Sequence, residues 1–160
     1  MKLLRTVRFD NTDERVFEAA AEPEEWAVSG AFAFANLEPA EVTGKARLAF
    51  ANGFLGVRSF GRSTFAVVAE ATPGTREEIE DRLAEHFVAR YGAPDLAAAL
   101  PAAREEVDFI AELCREALIN TVFTVRRTFD PAGRIKEEFR TITPPAGAPQ
   151  HARIWTVEPE

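Results

Sequence analysis

One cysteine and two histidines are all that the chain offers of the side chains most prone to bind metals. Cys114 has no second cysteine with which to form a disulfide inside the chain. Together with His86 and His151 it falls short of the set that a structural zinc or an iron–sulfur cluster needs. No metal and no cofactor is therefore expected, and the cysteine usage suits a reducing cytoplasm. Positive charge is also in short supply. A formal charge of −7 argues against a broad nucleic-acid or anionic-membrane surface, both of which need concentrated positive charge. Long apolar runs are missing too: nowhere do about 18 consecutive apolar residues occur, the length a spanning helix requires. The opening Met1 to Arg8 carries Arg5 and Arg8 where a signal peptide needs an unbroken apolar stretch. A soluble protein is expected.

Apolar residues, by contrast, make up 46% of the 160 residues, and phenylalanine alone occurs 13 times. That is enough to offset the entropy of ordering one compact domain over residues 1–160. A first strand is predicted over 3–9, ending at Asp10-Asn11. The segment 12–19 fits either a short helix capped by Asn11 and Glu14 or a continued strand. After Glu22-Pro23-Glu24-Glu25, the residues Trp26, Val28, Phe32 and Phe34 alternate with Ala27, Ser29, Ala31, Ala33 and Ala35. This is the cleanest strand pattern in the chain. A helix is expected over 39–51 with Pro39 near its start and Gly53 as its C-terminal cap. Residues 54–71 should be extended, with a bend or bulge at Gly56 and Gly61.

Thr72-Pro73-Gly74-Thr75 introduces a helix over 76–91, with Ile79, Leu83 and Phe87 inward and Arg76, Glu77, Glu80 and Asp81 toward water. Asp95 can cap a further helical stretch. Pro101 is expected to divide it and to open a second helix over 102–116, whose stripe is Val107, Ile110, Cys114 and Leu118. The sharpest local signal is Asp130-Pro131-Ala132-Gly133, a three-residue hairpin loop closed by Asp130 and Arg134. It sets Arg127 opposite Glu137, Arg126 opposite Glu138 and Val125 opposite Phe139, read as exposed charge pairs beside an apolar one. A proline-rich loop over 143–150 and a last strand over 152–157, with Trp155 inward, complete the pattern. The fold class is therefore α+β: a mainly antiparallel sheet of about five to six strands with three or four helices packed on it, including a C-terminal hairpin over 119–143. Which strand lies at the sheet edge is not legible.

Catalytic motifs fail inspection. Thr43-Gly44-Lys45-Ala46 lacks the first glycine and the final hydroxyl of a phosphate loop. Cys114 on the apolar stripe reads as a buried thiol, His86 as a boundary residue, and the carboxylates Glu77, Glu78, Glu80 and Asp81 as a solvated helix start. The glycine-rich Gly53 to Thr64 segment carries the one ligand-binding pattern of interest. There Arg58, Arg62 and Ser63, with Trp26 from the preceding strand, could present donors and an aromatic face to an anion.

The runs Glu22 to Phe34, Gly44-Lys45-Ala46, Gly53-Phe54-Leu55-Gly56 and Tyr91-Gly92-Ala93-Pro94 resemble an uncharacterised family of small proteobacterial proteins, classed only as a domain of unknown function. The resemblance covers most of the chain and implies no activity and no site residues. It points toward an accessory role, supporting the assembly of a molybdenum or iron–sulfur oxidoreductase. Two readings follow. One is a noncatalytic cytoplasmic protein that acts on an unidentified protein partner, with self-association through an exposed sheet edge as a separate alternative. The other is a small-molecule-binding domain or enzyme with a site near Trp26, Arg58, Arg62 and Ser63.

Overall fold

The computed structural model describes residues 1–142, so the expected loop over 143–150 and the strand over 152–157 with Trp155 lie outside the described residues. Seven strands form one sheet, more than the five to six expected. The surplus comes from two very short strands on either side of the glycine-rich bend. In chain order the elements are β1 (Lys2–Val7), α1 (Thr12–Val16), β2 (Trp26–Val28), α2 (Gly44–Asn52), β3 (Phe54–Gly56), β4 (Arg62–Ser63), β5 (Phe65–Glu70), α3 (Pro73–Arg90), α4 (Leu96–Cys114), β6 (Val122–Phe129) and β7 (Ile135–Ile142). The strand order is β4-β3-β2-β1-β5-β6-β7, with every neighbouring pair antiparallel. The chain is thus an α+β domain. Helices α3 and α4 lie against each other, and α4 lies against β1 and β2.

The undecided segment after β1 forms only the short helix α1, where Asp10 Oδ1 accepts from the Thr12 N–H at 2.8 Å and Asn11 makes no capping bond. The expected long strand from Trp26 to Phe34 stops at Val28. Gly30 turns the chain at φ +82°, and a 3₁₀ turn follows over Ala31–Phe34. The reason is tertiary: a Cβ at Gly30 would sit 2.5 Å from the Arg62 guanidinium and 2.7 Å from Leu55 Cβ. The turn also sends two aromatics to different places. Phe32 meets Phe87 edge-on, while Phe34 joins Val42 and Phe50 in a small second core. The expected helix over 39–51 is split as well, into a 3₁₀ turn at Pro39–Glu41 and α2 from Gly44. Glu41 closes the first piece by accepting from the Glu38 N–H at 2.7 Å.

Thr72 caps α3 by accepting from the Thr75 N–H at 3.0 Å, and Asp95 caps α4 through the Ala98 N–H at 2.8 Å. The expectation that Arg76 and Glu80 face water is corrected. Glu80 is buried and pairs with Arg76 at 2.7 Å, while Arg76 also reaches Asp108 on α4 and so joins the two helices. Pro101 does not divide its helix. Residues 96–114 run as one helix because Ala99, Ala103, Val107, Ile110 and Cys114 are all buried, and that docking outweighs one missing hydrogen bond. Leu118 leaves the expected stripe and is 79% exposed, since α4 ends at Cys114 and the chain turns before it.

The hairpin has the expected register: Arg127 opposite Glu137, Arg126 opposite Glu138 and Val125 opposite Phe139. Asp130 N–H donates to Arg134 O at 2.8 Å, and Gly133 takes φ +82° as the loop requires. The reading of these charge pairs as exposed is wrong for Arg127. Phe123, Val125 and Arg127 share one side of β6 by alternation, and that side is buried. The main core gathers Leu3, Leu4, Phe54, Val68, Leu83, Val107, Ile110 and Phe123 from the sheet and the two long helices.

Pro101 is exposed and offers no N–H to the carbonyl one turn earlier. Pro101→Ala restores that bond without disturbing packing. It is expected to raise stability by about 1–3 kcal/mol, measured by chemical denaturation.

Candidate functional site

The most concentrated polar chemistry lies inside the molecule. Arg127 is 1% exposed and is the largest of the fully buried side chains. Its Nε donates to Glu137 Oε2 at 2.8 Å. Its Nη1 donates to the carbonyls of Phe50 at 2.8 Å and Gly53 at 3.0 Å, and its Nη2 donates to the Ser29 carbonyl. Arg62 enters from β4 and donates to the Gly53 and Gly30 carbonyls, both at 3.1 Å, with its guanidinium over the Phe34 ring. Both cations thus meet the C-terminal end of α2, where unsatisfied carbonyls carry the negative end of the helix dipole. Burial lowers the pKa of both arginines. For Arg62 the charge of Arg127 adds to the effect and brings it to about 9, so it remains protonated at neutral pH.

Glu137 answers Arg127 and also accepts the Ser29 hydroxyl. From α4, the half-buried Glu106 faces the same charges. Burial and Glu137 push its carboxyl up to about 7, while Arg127 pulls the other way. Ser29 beside a carboxylate has the outline of a nucleophile with its base. At 4% exposure, however, its hydroxyl meets protein rather than an approaching substrate.

Two further buried carboxylates anchor backbone. Glu25, 2% exposed, accepts from the N–H groups of Glu22, Arg58 and Ser59 at 2.6, 3.0 and 2.8 Å and from the Ser59 hydroxyl at 2.6 Å. It thereby holds the 57–61 turn that presents Arg58 outward. Asp13 of α1 accepts from the Thr64 N–H at 3.2 Å and the Thr64 hydroxyl at 2.7 Å, tying α1 to the β4–β5 junction.

Beside that turn a cleft of about 220 Å³ opens between β1, β2 and α3, lined by Arg5, Glu24, Trp26, Arg58, Glu78 and Arg82 among others. The Arg5 guanidinium lies 4.6 Å from the Trp26 ring centroid and donates to the Glu24 carbonyl at 2.9 and 3.1 Å. Of the four residues singled out in the sequence, Trp26 and Arg58 come together here. Arg62 and Ser63 do not join them: Arg62 is turned inward, and the buried Ser63 hydroxyl donates to the Phe65 carbonyl at 2.8 Å. Arg5 and Arg82 had gone unnoticed, because only folding brings positions so far apart in sequence to one cleft. Arg127 had a usable signal in its alternation with Phe123 and Val125.

The remaining candidates behave as side chains of the fold. Cys114 is fully buried, and burial pushes its thiol up to about 12, far from a reactive thiolate. His86 stacks on Phe60 with ring centroids 3.7 Å apart, and burial, with Arg90 and Arg62 nearby, lowers its pKa. Gly44 and Lys45 form the first turn of α2. Among the described residues, no group of three or more His, Cys, Asp or Glu side chains is placed to hold a metal ion, and no helix is long and apolar enough to cross a membrane.

The fold and its polar interior define an antiparallel α+β domain built around buried arginines. The model of a family described as a family of unknown function, DUF6505, matches residues 1–156, and the chain belongs to that family. No curated protein and no solved structure matches it.

Arg127→Ala removes the guanidinium from the carbonyls of Ser29 and Phe50 and leaves the Gly53 carbonyl with Arg62 alone and the buried side of Glu137 with only the Ser29 hydroxyl. It is expected to cost about 3–5 kcal/mol in denaturant unfolding. For Glu106, folded and unfolded chains both hold the proton at low pH. From the ordinary carboxylate range up to about 7 only the folded chain does, so stability is lost as pH rises through that window. Glu106→Gln is accordingly expected to exceed the parent by about 1–3 kcal/mol above pH 7 and to lose that advantage near pH 4, by urea unfolding at both values.

Proposed function

We propose that this is a noncatalytic accessory protein that works in the cytoplasm by binding a protein partner. The observation that carries the proposal is the division of its side chains. Arg127, Arg62, Glu25 and Asp13 are buried and engaged in holding backbone, whereas Phe109, Leu118 and Ile119, on α4 and the turn after it, stand 45%, 79% and 45% exposed. Large apolar side chains in that position favour contact with another protein. Support for the assembly of an oxidoreductase is the finer form of this reading, with the client supplying any metal cofactor.

The second reading is a small anionic ligand held in the cleft of Arg5, Trp26, Arg58 and Arg82. It is favoured by three guanidinium groups and an indole around one opening, which also carries the carboxylates of Glu24, Glu25 and Glu78. One experiment separates the two. Tagged protein and a Leu118→Asp/Ile119→Asp variant are used for affinity capture from the source cells, in parallel with a thermal-shift screen of anionic metabolites. The accessory reading expects a recurring partner that the folded variant loses. Repeated captures without a recurring partner, together with a ligand shift abolished by Arg58→Ala and Arg82→Ala, would replace it with the second reading.

A further inference from the structure

The two edges of the sheet differ. At the β4 edge, the segment 19–21 lies alongside: Arg62 N–H donates to the Ala19 carbonyl and Ala21 N–H to the Arg62 carbonyl, both at 2.8 Å. At the other edge, β7 has a strand on one side only among the described residues. The alternation of antiparallel bonding fixes which of its groups point outward. Asp130 and Arg134 form a hydrogen-bonded pair, so Thr128–Lys136, Arg126–Glu138 and Thr124–Arg140 do as well. The N–H and C=O groups of Ile135, Glu137, Phe139 and Thr141 therefore face away from β6.

We propose that β7 pairs with β7 of a second copy of this chain, antiparallel about a two-fold axis at Phe139, which continues the sheet across a homodimer. A two-fold axis normal to the sheet pairs residues of like face, so the centre falls on a residue. Centring on Phe139 sets Glu138 opposite Arg140 of the other copy twice, Glu137 opposite Thr141, and Phe139 opposite itself. The neighbouring alternatives are repelled. Centring on Glu138 opposes Glu138 to itself and Lys136 to Arg140. Centring on Glu137 opposes two carboxylates at the axis and Arg134 to Arg140 twice, which offsets the two Lys136–Glu138 attractions it also makes, and centring on Arg140 opposes two guanidinium groups.

The favoured register also places outward-facing backbone groups opposite one another at Phe139 and at Glu137–Thr141, as a regular ladder requires. Phe139 packs beneath Phe109 of α4, with ring centroids 5.4 Å apart, and Phe109 is 45% exposed. In the dimer two such ring pairs meet at the axis, and the Glu138–Arg140 contact at 3.8 Å within one strand is supplemented by the same pair between copies. Charged edge strands usually resist pairing. Here the order of the charges repels the neighbouring registers and accepts one. The surface is small, so the dimer is expected to be reversible.

The test takes advantage of the buried, unreactive Cys114. Glu138→Cys protein and Arg140→Cys protein, both at exposed positions, are oxidised mildly alone and mixed, and self-association of the parent is measured by sedimentation equilibrium. The proposal expects a disulfide-linked dimer in the mixture well above either protein alone, because only residues 138 and 140 lie opposite each other. It also expects Glu138→Arg to weaken self-association about tenfold, and Glu138→Arg/Arg140→Glu to restore it with melting temperature held close to the parent. A parent chain that stays monomeric at all concentrations, or cross-linking no greater in the mixture than in Glu138→Cys alone, overturns the pairing.

Discussion

Arg127 carries a full positive charge into the interior, and the surrounding chain is arranged to receive it. Its donors reach the turn after β2, the carbonyls of Phe50 and Gly53 at the end of α2, and Glu137 on β7, all from its own place on β6. One side chain therefore ties the turn after β2 and the end of α2 to the C-terminal hairpin. Taking a guanidinium out of water costs several kcal/mol, and the cost is met only because almost every donor finds an oxygen. The last carbonyls of α2 are suited to this, being both unsatisfied and at the negative end of a dipole. Arg62 shares the Gly53 carbonyl with Arg127, so two like charges sit close together, and after burial the charge of Arg127 makes that of Arg62 harder to keep.

That arrangement bears on function because it places the strongest polar chemistry out of reach. The Ser29–Glu137–Arg127 constellation links the hairpin to the sheet rather than facing solvent. Glu25 similarly holds the 57–61 turn from within, and its work leaves Arg58 beside Arg5 and Trp26 on an open cleft. What the surface offers is of a different kind: exposed apolar side chains on and beyond α4, a small cleft of mixed charge, and a side of β7 that no strand covers among the described residues. Membership of a family of unknown function is consistent with each and selects none.

Local chemistry was legible in the C-terminal hairpin loop and at the starts of the two long helices, though not at Asn11, which makes no cap. The hairpin loop at Asp130 to Gly133 set its own register, because turn geometry leaves one pairing in which Arg127 meets Glu137. Thr72 and Asp95 started their helices as side-chain acceptors do. The expectations that failed depended on distant partners. Trp26 to Phe34 alternates large and small residues except at Gly30, and there the chain turns at φ +82° with the Arg62 guanidinium in the space a side chain would need. Pro101 should have ended a helix, but five buried residues on one stripe hold it. Of the residues read as a ligand site, Trp26 and Arg58 share a cleft, whereas Arg62 and Ser63 are buried and donate to backbone carbonyls.

From its sequence alone, then, this protein was set to be an α+β domain with an antiparallel C-terminal hairpin, two long amphipathic helices and an inert buried thiol. Periodicity, caps and turns act through nearest neighbours and need no knowledge of the fold. Only the tertiary structure decided that Arg127 lies at the centre rather than at the surface, that Trp26 meets Arg5 rather than Arg62, and that β7 is an outermost strand among the described residues. Those outcomes turn on desolvation and on partners dozens of residues away, which become neighbours only when the sheet has closed over its core.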